Sequence, residues 1–290
     1  MISIEERLNY YIGDTKGPYT EPFDHKRGYD VPICVNWENY RINHNIIHPN
    51  TAYPIDVVRL LRYNPSKLWV CCGDTSYTGP MYPIFTKFRD TWNPDSKGII
   101  VDFESVALWK PVFAHEDPPW EYKKPELIWR GTDTSRGIRL NFVKKYQPIY
   151  DVGFSRYVQD SVKDPDLYKK EYLRNSVQIP EMLKYKYLPV VEGNDRSSSL
   201  YWILACNSVP LMPIPRYHSW ICEKYLESGK HYVEVKSDWS DLPEKLEWCR
   251  SHDEECKQIA EEGKKFMLQF MNKHVNDYIE SKLVEFAKKI

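Results

Sequence analysis

KYLPVVEGNDRSSSLYWILACNSVPLM, residues 186–212, decides the reading of the fold. KYLPVV (186–191) is an apolar run of strand length and EGNDRSSS (192–199) is a polar loop. LYWILACNS (200–208) has the apolar density of a packed helix, and VPLM (209–212) is a second buried strand. Two strands joined through a helix make a parallel crossover unit. Upstream, LIWRG (127–131) is a short apolar run ending at Gly, and RLNFVKKY (139–146) sets Leu140, Val143 and Tyr146 on one side at helical spacing. Downstream, SWICEKYL (219–226) reads as a helix and HYVEV (231–235) as a strand. The alternation predicts an α/β fold, with a mostly parallel sheet covered by helices on both faces.

In the first half, KLWVCC (67–72) and GIIVDF (98–103) are the best strand candidates, each running into a polar loop. Two α/β units with a break near residues 116–126 follow. The division expected is 1–118 for the first domain, 119–265 for the second and 266–290 for a C-terminal helix. Asp241, with Pro243 in the following turn, and Asp253 mark two helix starts. Val275, Tyr278, Ile279, Leu283 and Phe286 form the packing stripe of the last helix.

A chain of 290 residues with 42% hydrophobic and 28% charged content folds and does not belong among disordered or repeat proteins. Its 40 Lys and Arg against 41 Asp and Glu give a net charge of -1, so no general field draws it to nucleic acid or an anionic membrane. Any anion must be held by a local site. Seven scattered cysteines without a CxxC pair read as reduced thiols. The first residues lack the apolar core of a signal peptide, and no segment approaches the roughly twenty apolar residues of a membrane span. A cytoplasmic location is expected. The 10 Phe, 10 Trp and 22 Tyr suit core packing and also a surface that stacks on ring-shaped ligands.

Ligands of parallel α/β sheets bind beyond the carboxyl ends of the strands, and three such segments stand out. Asp74, after KLWVCC and Gly73, is an acid at a strand tip or a turn cap. WRGTDTSRGIR (129–139) gathers Arg130, Arg136 and Arg139 with Gly131, Thr132 and Thr134 at a strand-to-helix junction. It suits a diphosphate, or is a solvated basic loop before an ordinary helix. EGNDRSSS offers Gly193, Arg196, Ser197, Ser198 and Ser199 at a helix start, for an anion or for plain N-capping. Neither loop carries GxxxxGK or GxGxxG. His44 and His48 lack the glutamate of HExxH. Asp164 and Asp166 spell D-x-D in a charged stretch with no apolar strand before it, so no metal site is expected.

With these loops in view the sequence resembles glycosyltransferase family 90, the capsule-associated and Rumi-type protein O-glucosyl and O-xylosyltransferases, over roughly residues 65–270. KYKYLPVVEGNDRSSSLYWILACNSVPLM (184–212), HYVEVKSDWSDLPEKLEWCRSHDEECKQIAEEGKKF (231–266) and PWEYKKPELIWRGTDTSR (119–136) carry the resemblance. It implies the GT-B arrangement of two facing Rossmann-like domains, with the C-terminal helix packing back across them. The implied reaction is inverting, metal-independent transfer of xylose or glucose from UDP-xylose or UDP-glucose to a hydroxyl of a glycan or glycoprotein. No cofactor beyond the UDP-sugar donor is implied. WVCCGD (69–74) resembles the context of the family's catalytic aspartate, which makes Asp74 the base. Arg130, Gly131, Thr132, Thr134 and Arg136 or Arg139, with Gly193, Arg196 and Ser197–Ser199, fall at the nucleotide-sugar motifs. The family's S-x-R is replaced by Ser197-Ser198-Ser199, so Arg196 is the nearest substitute for the missing arginine. A D-x-D metal transferase at Asp164 and Asp166 and a glycan-binding lectin are the alternatives.

Overall fold

The structure is a computed structural model that describes residues 1–13, 33–35, 53–63, 65–72, 84–94, 96–103, 115–135 and 137–289. The chain divides into two compact units. Residues 1–107, 216–224 and 269–290 make the first, and 108–215 and 225–268 make the second. This division places the first boundary at 107/108 and gives both the 216–224 excursion and the C-terminal helix to the first unit.

The first unit opens with α1 (Ile4–Ile12), started by a capping box in which Ser3 and Glu6 exchange hydrogen bonds. β1 (Ile33–Val35), α2 (Tyr53–Leu61), β2 (Leu68–Cys71), β3 (Ile84–Thr86), β4 (Phe88–Asp90) and β5 (Ile99–Ile100) follow. β2, β3 and β5 are parallel neighbours, with β1 antiparallel on the outer edge of β2. The strands expected from KLWVCC and GIIVDF are β2 and β5.

The second unit contains β6 (Lys124–Thr132), α3 (Ile138–Tyr146), β7 (Asp151–Arg156), α4 (Asp160–Lys163), α5 (Ile179–Met182), β8 (Tyr185–Pro189), α6 (Ser199–Leu204) and β9 (Val209–Met212). The chain then adds β10 (Tyr217–Ser219) antiparallel to β4 in the first unit. It returns for β11 (Val233–Glu234), α7 (Leu242–Ser251) and α8 (Asp253–Leu268), and ends on α9 (Lys273–Lys288) in the first unit. The sheet of the second unit is parallel throughout, in the order β11-β9-β8-β6-β7. Its central strand β8 is buried at every residue, as a strand covered on both faces must be. Leu140, Val143 and Tyr146 of α3 enter the same core as expected, together with Phe142 and Trp129.

Two helical expectations need correction. SWICEKYL is no helix: Ser219 ends β10, Cys222 turns left-handed at φ 56°, and only a 3-10 turn over Glu223–Tyr225 follows. The Glu223 carboxylate holds that turn by accepting from the Ser219 N–H and hydroxyl, a local bond pattern that outcompetes the helix. On α9 the buried residues are Ile279, Glu280, Leu283 and Val284, whereas Tyr278 is 50% exposed. The stripe is rotated because Arg59 of α2 draws Glu280 inside, with Nε 2.8 Å from the carboxylate. Burial pushes the Glu280 carboxyl up to about 7 even though Arg59 opposes it. The six described cysteine thiols are all free and buried. No described helix is long and apolar enough to cross a membrane.

Candidate functional site

In the second unit the direction of chain crossing reverses between β6 and β8: β6 leads outward to β7, and β8 leads the other way to β9. A parallel sheet opens a crevice at such a reversal, beyond the carboxyl ends of the two strands. The two segments singled out in the sequence, 129–139 and 192–199, are the loops that leave those two strands. At the tip of β6 the pairing with β7 slips between Gly131 and Thr132, which frees Thr132–Thr134 from the sheet.

Arg139, in the first turn of α3, spans the reversal. Its Nη1 donates to the Thr132 carbonyl at 3.2 Å and the Thr134 hydroxyl at 3.0 Å, while Nε and Nη2 donate to the Val191 carbonyl beyond β8 at 3.3 and 3.1 Å. All these acceptors are neutral oxygens. Among the described residues no carboxylate pairs with Arg139, although burial is deep enough to pull its pKa down to about 10. It still carries a full charge at neutral pH. A half-buried cation without a counter-ion is costly, and such groups concentrate at ligand sites.

Gly193 lets the two loops approach. A Cβ there would lie 3.0 Å from the Thr134 carbonyl oxygen and 3.1 Å from Arg139 Nη2, so any side chain would force the loops apart. The Thr132 and Thr134 hydroxyls are 3.3 Å apart beside the same guanidinium. Ser197 and Ser199 share a 2.8 Å hydrogen bond. Ser198 is exposed at the start of α6, and its side chain makes no cap hydrogen bond.

The other arginines sit differently. Arg130 directs Nη2 to Asp151 at 2.6 Å, Nη1 to the Trp129 and Asp151 carbonyls and Nε to the Asn175 carbonyl. Its guanidinium is thereby committed to the β6–β7 edge, where Asp151 cancels its charge. Arg196 is buried, donates to the Tyr201 hydroxyl and pairs with Asp195 at 3.2 Å. It shapes the 192–199 loop from inside. Asp74 and Arg136 lie outside the described residues, as do His44 and His48. Asp164 and Asp166 are both exposed, on the segment after α4.

Asp133, which sequence reasoning passed over, ties the loop after β6 to the loop after β7. Its buried carboxylate accepts from the Val158, Gln159 and Ser161 N–H groups at 2.5, 3.2 and 2.7 Å. Burial raises its pKa, but the Ser161, Val158 and Gln159 donors outweigh burial and hold it below the usual range. Asp160 accepts from the Ser135 N–H at 3.2 Å, and Asn194 donates to Gln159 at 2.8 Å. Three strand-tip loops are thus held as one frame. The only signal was an Asp between two Thr in RGTDTSR, and nothing local says which N–H groups it meets.

The model of the family described as glycosyl transferase family 90 matches residues 57–290. An O-glucosyltransferase LpsA of Dichelobacter nodosus is 30% identical over 225 residues, 76% of this chain and 67% of that protein. Protein O-glucosyltransferase 2 of Danio rerio is 30% identical over 70% of this chain and 39% of its own length. Protein O-glucosyltransferase 3 of Homo sapiens is 31% identical over 84% of this chain and 44% of its own. The chain therefore spans about two thirds of the bacterial relative and less than half of the vertebrate ones. Because the family match runs through both α/β units and is not confined to one motif, this chain belongs to glycosyl transferase family 90.

Proposed function

We propose that this chain is an inverting, metal-independent glycosyltransferase of the GT-B class. It would transfer a sugar from a UDP-sugar to a hydroxyl of a glycan or glycoprotein acceptor. The observation that carries this reading is Arg139: a half-buried cation, unpaired with any described carboxylate, set between the loops of the two strands that flank the sheet's topological reversal. A diphosphate laid across those tips supplies the missing negative charge. As the glycosidic bond breaks, charge gathers on the departing UDP, and a fixed guanidinium meets it without reorganisation. Thr132, Thr134 and the serines after Gly193 are the neutral donors beside it. Arg130 and Arg196 serve the frame in this reading. Asp74 is assigned the base on its sequence context, taking the acceptor proton as the oxygen attacks the anomeric carbon. Asp164 and Asp166, exposed beyond α4, contribute nothing to the crevice. The printed names of the relatives favour glucose as the sugar, with xylose as the second candidate. Six free, buried cysteines support a reducing compartment such as the cytoplasm.

The test is titration of UDP into the full chain, paired with a transfer assay on Asp74→Asn. The variant is expected to bind UDP within a few-fold of wild type and to lose transfer by roughly 10² or more, with wild-type turnover unchanged in EDTA. Failure of the wild type to bind UDP, or EDTA inactivation reversed by manganese, would overturn the proposal.

A further inference from the structure

A second cationic site lies in the first unit, at the corner where β4 pairs with β10. A cavity of about 550 Å³ opens there, within the size range of small-ligand sites. Arg89 and His218, opposite each other in the β4–β10 ladder, line it with Lys97 and Lys224. Asp90 is the one carboxylate among the described lining residues, and Arg216 grips both its oxygens at 2.9 and 2.6 Å. Its charge is spent inside that pair, so the cavity wall is positive.

The corner is built rigidly. Asp90 also accepts from the Trp92 N–H at 3.0 Å, the Ser96 hydroxyl accepts from the Asp90 N–H at 2.8 Å, and the Thr91 N–H and hydroxyl both donate to the Arg216 carbonyl. Arg89 stands over the Tyr10 ring and donates to the Tyr10 carbonyl. Gly13, left-handed at φ 59°, leaves the space its guanidinium fills, since a Cβ there would collide with Nη1. Trp92 sits between the lining residues Thr91 and Asn93. The Arg216 guanidinium lies over its ring, 4.6 Å from the centroid, and Trp92 is still 69% exposed. A large flat apolar face fixed in water beside a cation-lined cavity has no packing role in the fold. Joined to the cavity, it matches a ring-shaped ligand with one apolar face and one negative substituent.

We propose that this corner is a subsite for an anionic sugar, a uronate or a sugar phosphate, with Trp92 as the platform for the ring and Lys97, Lys224 and Arg89 as the partners of the anion. Resting on the transferase reading, it makes the acceptor an acidic glycan. His218 adds a neutral imidazole to the wall, because burial, with Arg89 and Lys224 nearby, pulls its pKa down to about 4.

The test follows the indole N–H signal of Trp92 in the full ¹⁵N-labelled chain, assigned with Trp92→Phe, as glucuronate, glucose 6-phosphate, glucose and inorganic phosphate are added. Glucuronate or glucose 6-phosphate, or both, should move that signal saturably and bind about tenfold or more tighter than glucose or inorganic phosphate. Whichever of the two binds more tightly identifies the anion. Lys97→Gln combined with Lys224→Gln, on surface side chains, should abolish the preference for the charged sugar and leave the other indole signals in place. Equal binding of glucose, equal binding of inorganic phosphate, or no movement of Trp92 each overturns the subsite. A separate UDP titration keeps the two readings apart. UDP binding with Trp92 unmoved removes the subsite alone, whereas Trp92 responding without UDP binding removes its place in a transferase.

Discussion

The crevice between β6 and β8 and the corner between β4 and β10 both concentrate positive charge, and they do so by opposite means. In the crevice one guanidinium, Arg139, is held by neutral oxygens alone. In the corner several cations share a wall, and the carboxylate within reach is taken out of play by Arg216. Arg130, only nine positions before Arg139, shows the third arrangement, an ion pair with Asp151 that leaves no charge to offer. Proximity of arginines in sequence therefore says little about their task. What separates them is whether the protein itself supplies the counter-ion, because a cation already neutralised gains little from an anionic ligand.

Arg139→Ala against Arg130→Ala is the sharpest way to break that distinction. Removing Arg139 deletes charge-assisted bonds to a diphosphate, each worth about 1.5–3 kcal/mol, so UDP affinity should fall roughly 10- to 100-fold. Removing Arg130 should lower the melting temperature through lost bonds at the β6–β7 edge, with UDP affinity of the folded protein within about threefold of wild type. Calorimetry with circular dichroism on both variants decides it, and equal losses of affinity would erase the difference between them.

Gly193→Ala tests the crevice without touching a charge. The added methyl meets the Thr134 carbonyl and the Arg139 guanidinium, and overpacking of this kind costs about 1–3 kcal/mol. UDP affinity should drop about tenfold by titration. An alanine tolerated with full affinity would mean that the loops need not approach so closely.

The corner has its own signature in pH. The folded pKa of His218 is about 4, below its unfolded value of 6.5, so its contribution to stability is present above pH 6.5 and is lost as pH falls toward 4. Between pH 7 and pH 5 the loss should be about 1–2 kcal/mol in urea unfolding, and His218→Gln should remove it. Glu280 acts in the opposite direction, since its folded pKa of about 7 is raised and its contribution fades as pH rises through that value. Only the difference between wild type and variant isolates His218, and identical pH profiles would place the imidazole in solvent.

The same contrast explains what could be read from the sequence. The second unit was legible because its evidence is contiguous: strand, Gly loop and helix follow one another in residues 186–212, and the hydroxyls and arginines of the β6 tip lie within eleven residues, 129–139. Arg139 was legible as a candidate, yet only the fold distinguishes it from Arg130, since their partners Val191 and Asp151 are remote from the motif. Asp133 escaped because the N–H groups it accepts from come from the next crossover. The corner was invisible for a stronger reason: Tyr10, Arg89, Lys97, His218 and Lys224 come from separate stretches of chain, and the segment that completes it was read as a helix. Asp74 rests on sequence context alone.

Hydrogen exchange of the full chain with and without saturating UDP puts the central claim, that the nucleotide binds across the tips of β6 and β8, to the most direct test. Backbone amides in residues 131–140 and 190–200 should gain protection, while those in 88–98 around the β4–β10 corner should not change. Protection confined to the corner, or none at either strand tip despite measured UDP binding, would contradict it.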